Sequence, residues 1–176
     1  MNVLKPRQPV PELELATLAG RWSLSASTPE LFTMIVFYRG LHCPVCKSYL
    51  RELNRLHDDF EKLGVASIAA STDSEERARR AADEWGLDNV TIGYGVSTAQ
   101  SRDFGLHRSA GRGLTSIGIE EPAEFSEPGL FLVRPDDTLY WSSVSTMPFA
   151  RPNFKEILSA VAFAKEKDYP ARGELS

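Results

Sequence analysis

A strand that hands over to a helix at a pair of closely spaced cysteines constrains this chain more than any other feature. Residues 32–38 read Phe-Thr-Met-Ile-Val-Phe-Tyr, and Cys43-Pro44-Val45-Cys46 follows soon after. The run is mostly apolar with β-branched members, which suits a strand covered on both faces. Leu50, Leu53, Leu56, Phe60 and Leu63 then recur at spacings of three and four. The pattern predicts a helix over residues 44–63, stopped by Gly64.

Pro44 is favoured at the first helical position, because it has no amide hydrogen to leave orphaned. That puts Cys43 at the cap, where free backbone N–H groups and the positive end of the helix dipole favour a thiolate. A low thiol pKa makes a cysteine nucleophilic near neutral pH. Cys46 lies one turn further on and shares the stripe of Leu50 and Leu53. Cys43 is therefore expected to be the more exposed thiol and Cys46 the sheltered one, an asymmetry suited to forming and resolving a mixed disulfide. Arg39, His42 and Lys47 stand close in sequence and could add positive charge or a proton relay. The plain alternative for each is a solvated side chain.

Elsewhere the chain reads as a mixed α/β protein. Turn residues at Gly20-Arg21 between short apolar stretches predict a small N-terminal hairpin. Residues 65–70 read as a strand. Thr72 with Glu75 forms an expected capping box for a helix through Trp85, and Ser97 with Gln100 forms another for a helix ending at Gly105. Residues 90–94 fit a short strand and residues 106–126 a loop. Residues 130–133 and 138–143 form an expected hairpin around Pro135-Asp136-Asp137. Pro152 fits the first position of a last helix that buries Phe154, Ile157, Leu158 and Val161. This order predicts a mixed sheet with helices on both faces.

With 176 residues the chain is expected to be one domain over residues 1–176, burying about 70% of its extended surface, enough for a core without disulfide staples. The net charge is −4 with no basic stripe, which argues against nucleic acid and anionic membranes as partners. Two cysteines are too few for a disulfide scaffold. Residues 1–6 carry no apolar core of a secretory signal. The expectation is a cytoplasmic protein with reduced thiols.

A C-x-x-C pair has three common meanings: a redox couple, half a zinc site, or two core thiols. Zinc needs two further ligands, yet there is no third cysteine, His57 lies deep along the same helix, and His107 is distant in sequence. No metal is expected, and no cofactor, because Gly93-Tyr94-Gly95 and Gly111-Arg112-Gly113 lack the third glycine and the strand-to-helix setting of a dinucleotide fingerprint. Trp22, Trp85 and Trp141 read as core or rim residues. Arg108 and Arg112 are candidates for holding an anionic partner such as glutathione. The redox couple fits best, because strand and helix fall where such a pair is used.

On the residues "FYRGLHCPVC", "SIAASTDS", "RDFGL", "EPGLFLVRPDDTLYW" and "DYPARGE", taken in that order, the chain resembles the AhpC/TSA branch of peroxiredoxin-like proteins in the thioredoxin-fold superfamily. The closest resemblance is to the subgroup carrying a C-x-x-C pair. It implies a thioredoxin-like fold with a central mixed sheet flanked by helices, and a thiol–disulfide oxidoreductase in redox homeostasis. Cys43 and Cys46 match the active pair. Pro128 matches a cis-proline facing it, which implies a cis Glu127–Pro128 bond. Arg39 and His42 would complete the substrate-binding rim. His42 replaces an aromatic residue, and Phe37 replaces a buried carboxylate, so proton transfer from Cys46 would pass through His42 or water.

Laid on the family's P-x-x-x-T-x-x-C peroxide pattern, the proline falls on Arg39, the threonine on Cys43 and the reactive cysteine on Cys46. The family's later arginine falls near Pro128, with no replacement beside it. Three readings follow. In a disulfide reductase Cys43 attacks and Cys46 resolves; in a thiol peroxidase Cys46 attacks and Cys43 resolves; in a non-catalytic binding module neither acts. The implied partners are a disulfide-containing protein or a small thiol or peroxide substrate, and an external thiol reductant. Related folds often pair through sheet edges or loop rims, which admits a homodimer.

Overall fold

In the computed structural model, which describes residues 3–175, the apolar run forms strand β3 (Phe32–Phe37), and all of its residues are buried. Alternation along the strand divides the core. Phe32, Met34 and Val36 face one hydrophobic cluster, and Ile35 and Phe37 face the other. β3 runs parallel to β4 (Val65–Ala70) and antiparallel to β8 (Gly129–Val133). The full sheet has seven strands in the order β2-β1-β5-β4-β3-β8-β9. β1 (Glu14–Thr17) and β2 (Gly20–Ser23) are the predicted N-terminal hairpin, β5 is Thr91–Tyr94, and β9 (Leu139–Val144) completes the predicted hairpin with β8.

Four helices line one face: α1 (Pro44–Arg55), α2 (His57–Lys62), α3 (Glu75–Trp85) and α5 (Phe154–Lys167). They bury Cys46, Leu50 and Leu53, then Phe60, then Ala78, Ala81 and Trp85, then Phe154, Ile157 and Val161 against the sheet. The other face is covered by Val10, Leu13 and Leu24 of the N-terminal segment and by Phe104 at the end of α4 (Thr98–Asp103). This is the expected mixed sheet with helices on both faces. Among the described residues no helix is long and apolar enough to cross a membrane.

Four local expectations change. The single helix over residues 44–63 breaks at Leu56 (φ −94°, ψ 5°), whose amide bonds to Glu52 O and Leu53 O, both at 3.1 Å. The break tightens the last turn of α1 and starts a second helix with Asp58 and Asp59 in its first turn, where the dipole favours acids. The cap of α3 is Ser74 rather than Thr72, because Asp73 is drawn inward and the chain turns helical only beyond it. Asn153 caps α5, so Pro152 sits just before the cap. The expected loop over residues 106–126 contains β6 (Arg108–Ala110) and β7 (Glu124–Ser126), paired antiparallel as a separate ribbon.

Phe154 ties α5 to α1 and α2 through ring contacts with Tyr49 (4.2 Å) and Phe60 (6.4 Å), and it is fully buried. Phe154→Ala should therefore lower unfolding stability by about 3–5 kcal/mol in urea denaturation. A loss under about 1 kcal/mol would mean that α5 is not held to the core through this ring.

Candidate active site

At the end of β3 the backbone turns through residues 38–42 into α1. A buried carboxylate shapes this turn. Asp73, from the β4–α3 connection, accepts the Leu41 amide at 2.7 Å and pairs with Arg77 Nε at 2.9 Å. Gly40 (φ 125°) lies so close that a Cβ there would stand 2.6 Å from Asp73 Oδ2. Only glycine allows both that approach and that backbone. The turn closes with Cys43 N donating to Gly40 O at 3.1 Å.

Cys43 is the N-cap of α1 and Pro44 its first residue, as the sequence predicts. The Cys43 Sγ accepts the amide of Cys46 at 3.3 Å. Arg151, from the segment before α5, directs Nη2 at both sulfurs, 3.2 Å from Cys46 and 3.6 Å from Cys43. The guanidinium is fixed by Nε donating to Pro148 O at 2.5 Å and by lying 5.1 Å above the Tyr49 ring. Tyr49 in turn donates to Pro152 O at 2.8 Å.

These contacts split the two thiols. The hydrogen bond from Cys46, then Arg151, the Cys46 amide and Arg39, bring Cys43 down to about 6 against the opposing effect of burial. Burial pushes the Cys46 thiol up, and its bond to Cys43 pushes the same way. The sequence-based asymmetry holds in chemistry but not in exposure, because Cys43 is only 1% exposed and Cys46 0%. The turn and the Arg151 segment cover both.

Of the rim residues, His42 lies inside the protein rather than at its surface, with its ring 4.6 Å from that of Phe125. Burial takes its pKa down to about 4, so the imidazole is neutral at pH 7, and neither ring nitrogen has a hydrogen-bond partner among the described residues. Arg39 pairs with Glu121 and Glu127, each at 3.3 Å, and lies 4.6 Å above the Phe125 ring. Its charge serves chiefly to hold the segment before β8. Lys47 is exposed.

Pro128 lines a small cavity of about 10 Å³ with Arg151, Tyr49, Gly129 and Ser143, room for about one water. The Glu127–Pro128 bond, expected cis, is trans; no cis peptide occurs among the described residues. The chain runs extended from β7 into β8 here, with Glu127 N bonded to His107 O (2.8 Å) and Pro128 O accepting from Ser145 N (3.0 Å). The trans bond continues that path and is the intrinsically favoured isomer. Arg108 pairs with Glu124, and the Arg112 amide bonds to Glu121, so both help organise the β6–β7 ribbon.

Sequence reasoning missed Arg151 and Asp73. Arg151 is 105 residues from Cys46 and follows an irregular stretch, so no local pattern marks it. No arginine stands beside Pro128, as expected; the guanidinium that reaches the thiols comes from a different element. Asp73 carried a weak signal as an acid just after a buried strand.

A dithiol at the N-terminus of α1, on a sheet in which β3 lies between parallel β4 and antiparallel β8, defines a thioredoxin-like redox protein. The AhpC/TSA family pattern matches residues 6–142, and the chain belongs to that family. It is accordingly a thiol-dependent oxidoreductase or peroxidase. Similar solved folds include the peroxidoxin BcpB from Mycobacterium tuberculosis (TM-score 0.71, 18% identity, covering 92% of this chain and 98% of that one). A peroxiredoxin-like protein from Aquifex aeolicus is also similar (0.72, 17%, 93% and 89%). So is a thiol:disulfide interchange protein assigned as DsbE from Chlorobium tepidum (0.68, 18%, 93% and 99%). No curated protein matches the chain in sequence.

The geometry makes the Cys43 thiolate directly measurable. In reduced protein, ultraviolet thiolate absorbance should rise with a midpoint near pH 6, because a depressed pKa means deprotonation on the way up through that value. Cys43→Ser should abolish this step, and Arg151→Gln should move its midpoint to higher pH. A midpoint left near the free-cysteine value of about 8.5 would contradict the cap-and-guanidinium account.

Proposed function

We propose that this chain is a dithiol–disulfide oxidoreductase in which Cys43 is the attacking cysteine and Cys46 the resolving one. The supporting observation is the opposite displacement of the two thiols. The one at the helix cap is held as a thiolate at neutral pH, and the one a turn deeper is kept as a thiol. The Cys43 thiolate attacks one sulfur of a substrate disulfide, forming a mixed disulfide and releasing the first substrate thiolate. Cys46 then attacks Cys43 Sγ, its proton passing to the departing sulfur, so that the second half of the substrate leaves as a thiol. The substrate gains two electrons, and the enzyme ends with a Cys43–Cys46 disulfide, which an external thiol reductant must reopen. Pro128 and Arg39 border the site in this reading, and neutral His42 packs beneath the turn. The substrates are a protein disulfide or a small disulfide, handled by residues 1–176 as one unit in a reducing, cytoplasmic setting, with a homodimer as the admitted assembly.

One observation favours a second reading. Arg151 Nη2 lies nearer Cys46 (3.2 Å) than Cys43, the arrangement wanted if Cys46 attacked a peroxide beside a guanidinium. There Cys46 would take the terminal peroxide oxygen as a sulfenic acid, releasing water or an alcohol, and Cys43 would condense with it, releasing water.

The roles of the cysteines swap between the readings, so single variants separate them. With a protein disulfide as substrate, Cys46→Ser should trap a covalent mixed disulfide, visible by intact mass, and Cys43→Ser should not. The reverse pattern, with oxidation by hydrogen peroxide far faster than that of free cysteine, would establish the peroxidase. No Cys43–Cys46 disulfide under either oxidant would sink both.

A further inference from the structure

Fourteen consecutive residues, from position 140 to position 153, include none that is buried, although Arg151 within the stretch reaches both sulfurs of the dithiol. Met147 and Phe149 are 52% and 72% exposed. Residues 145–150 form a self-contained turn around Ser145, whose Oγ accepts from Met147 N (3.1 Å) and lies 3.0 Å from Met147 O; Ala150 N donates to Met147 O at 3.3 Å. Apolar packing therefore does not fasten this turn to the body. What does is a short set of polar ties: Ser145 N to Pro128 O, Tyr49 Oη to Pro152 O, and Arg151 to the two sulfurs.

Arg151 is the unusual tie. Its Nη1 is buried without a partner, and no carboxylate pairs with it among the described residues. The groups that offset its charge are the two sulfurs and the Tyr49 ring face. A partly buried guanidinium depends on such partners, because burying an unmatched charge is costly.

We propose that residues 145–152 are a redox-sensitive latch, clamped over the reduced pair by Arg151 and released when Cys43 and Cys46 join. The proposal rests on the dithiol reading above. In the oxidation step, a thiolate and a thiol together reduce a disulfide such as oxidised glutathione. The pair loses two electrons and one proton, one product leaves as thiolate and the other as thiol, and the negative charge at Cys43 goes with them. A disulfide sulfur is neutral and a poor acceptor, so Arg151 loses its anion and gains by moving into water. The turn then swings out with it. The buried disulfide becomes reachable by the external thiol that must reduce it, and reduction closes the latch again.

The test is amide hydrogen exchange at Ser145, whose N–H is the turn's own tie to Pro128 O (3.0 Å), read on intact full-length protein in the reduced form and after oxidation with oxidised glutathione, with intact mass confirming the disulfide. Exchange at this amide should be roughly tenfold or more faster in the oxidised form, the scale expected when one charge-assisted contact is lost. The Cys43→Ser, Cys46→Ser double variant, with no thiolate to offer, should exchange at the fast rate under reducing conditions. Arg151→Gln should be fast in both redox states, and Arg151→Lys should restore part of the difference. Equal exchange in the two forms of the native protein would overturn the latch. So would a double variant that exchanges as slowly as reduced native protein. If no disulfide forms, the dithiol reading fails instead, and the double variant still decides whether thiolate charge holds the turn.

Discussion

The acceptance of the Cys46 amide by Cys43 Sγ is the contact around which the site is built. A helix N-terminus leaves amides unsatisfied, and this chain fills that need with a sulfur rather than the usual hydroxyl or carboxylate. The sulfur accepts better when charged, so capping the helix and activating the thiol are one interaction. Burial opposes it, since Cys43 is nearly inaccessible. The remainder of the site offsets that opposition. Cys46, equally buried but without the cap, goes the other way: burial and its bond to Cys43 push its thiol up despite Arg151.

Three arginines and three buried or nearly buried carboxylates surround the turn, and their pairing decides which charges reach the sulfurs. Asp73 is matched by Arg77, and Glu121 and Glu127 share Arg39. These pairs act as struts. Asp73 holds Leu41, and Arg39 binds the strand-entry segment through two acids and the face of Phe125. Because each acid is already engaged, it does little to raise the Cys43 pKa. Arg151 is the guanidinium left without a carboxylate, so its field falls on the thiols. Pairing thus separates charges held mainly as struts from Arg151, which bears directly on the thiols, with Arg39 adding a smaller pull on Cys43.

What could be read from the sequence was what the chain encodes locally. The apolar run of β3, the stripe through Cys46, Leu50 and Leu53, and the proline that places Cys43 at the cap all depend on neighbours within a few residues. The Ser97–Gln100 box is equally local and is formed as expected. The missed features depend on partners far along the chain. β6 and β7 are three-residue strands that exist because they pair with each other. The shift of the α3 cap to Ser74 follows from Asp73 turning inward to meet Leu41. The burial of His42 follows from Phe125 arriving from the ribbon to cover it. The trans bond before Pro128 follows from an extended path between two strands, which a family pattern does not record.

Arg151 is the case in which family pattern and physics part. Judged by alignment, the arginine of the peroxide pattern is absent, since its position falls near Pro128. A guanidinium acts through its distance from sulfur, however, and Arg151 reaches the same small volume from the far side of the β8–β9 hairpin. It does not by itself decide which cysteine leads, because Nη2 is within reach of both, at 3.2 and 3.6 Å. The cap decides. The helix N-terminus stabilises charge on Cys43 and offers Cys46 nothing comparable, since Cys46 lies inside the first turn. A cation shared by two thiols, together with a cap available to one, favours the outer sulfur as thiolate, and that order is what a disulfide-exchanging pair requires.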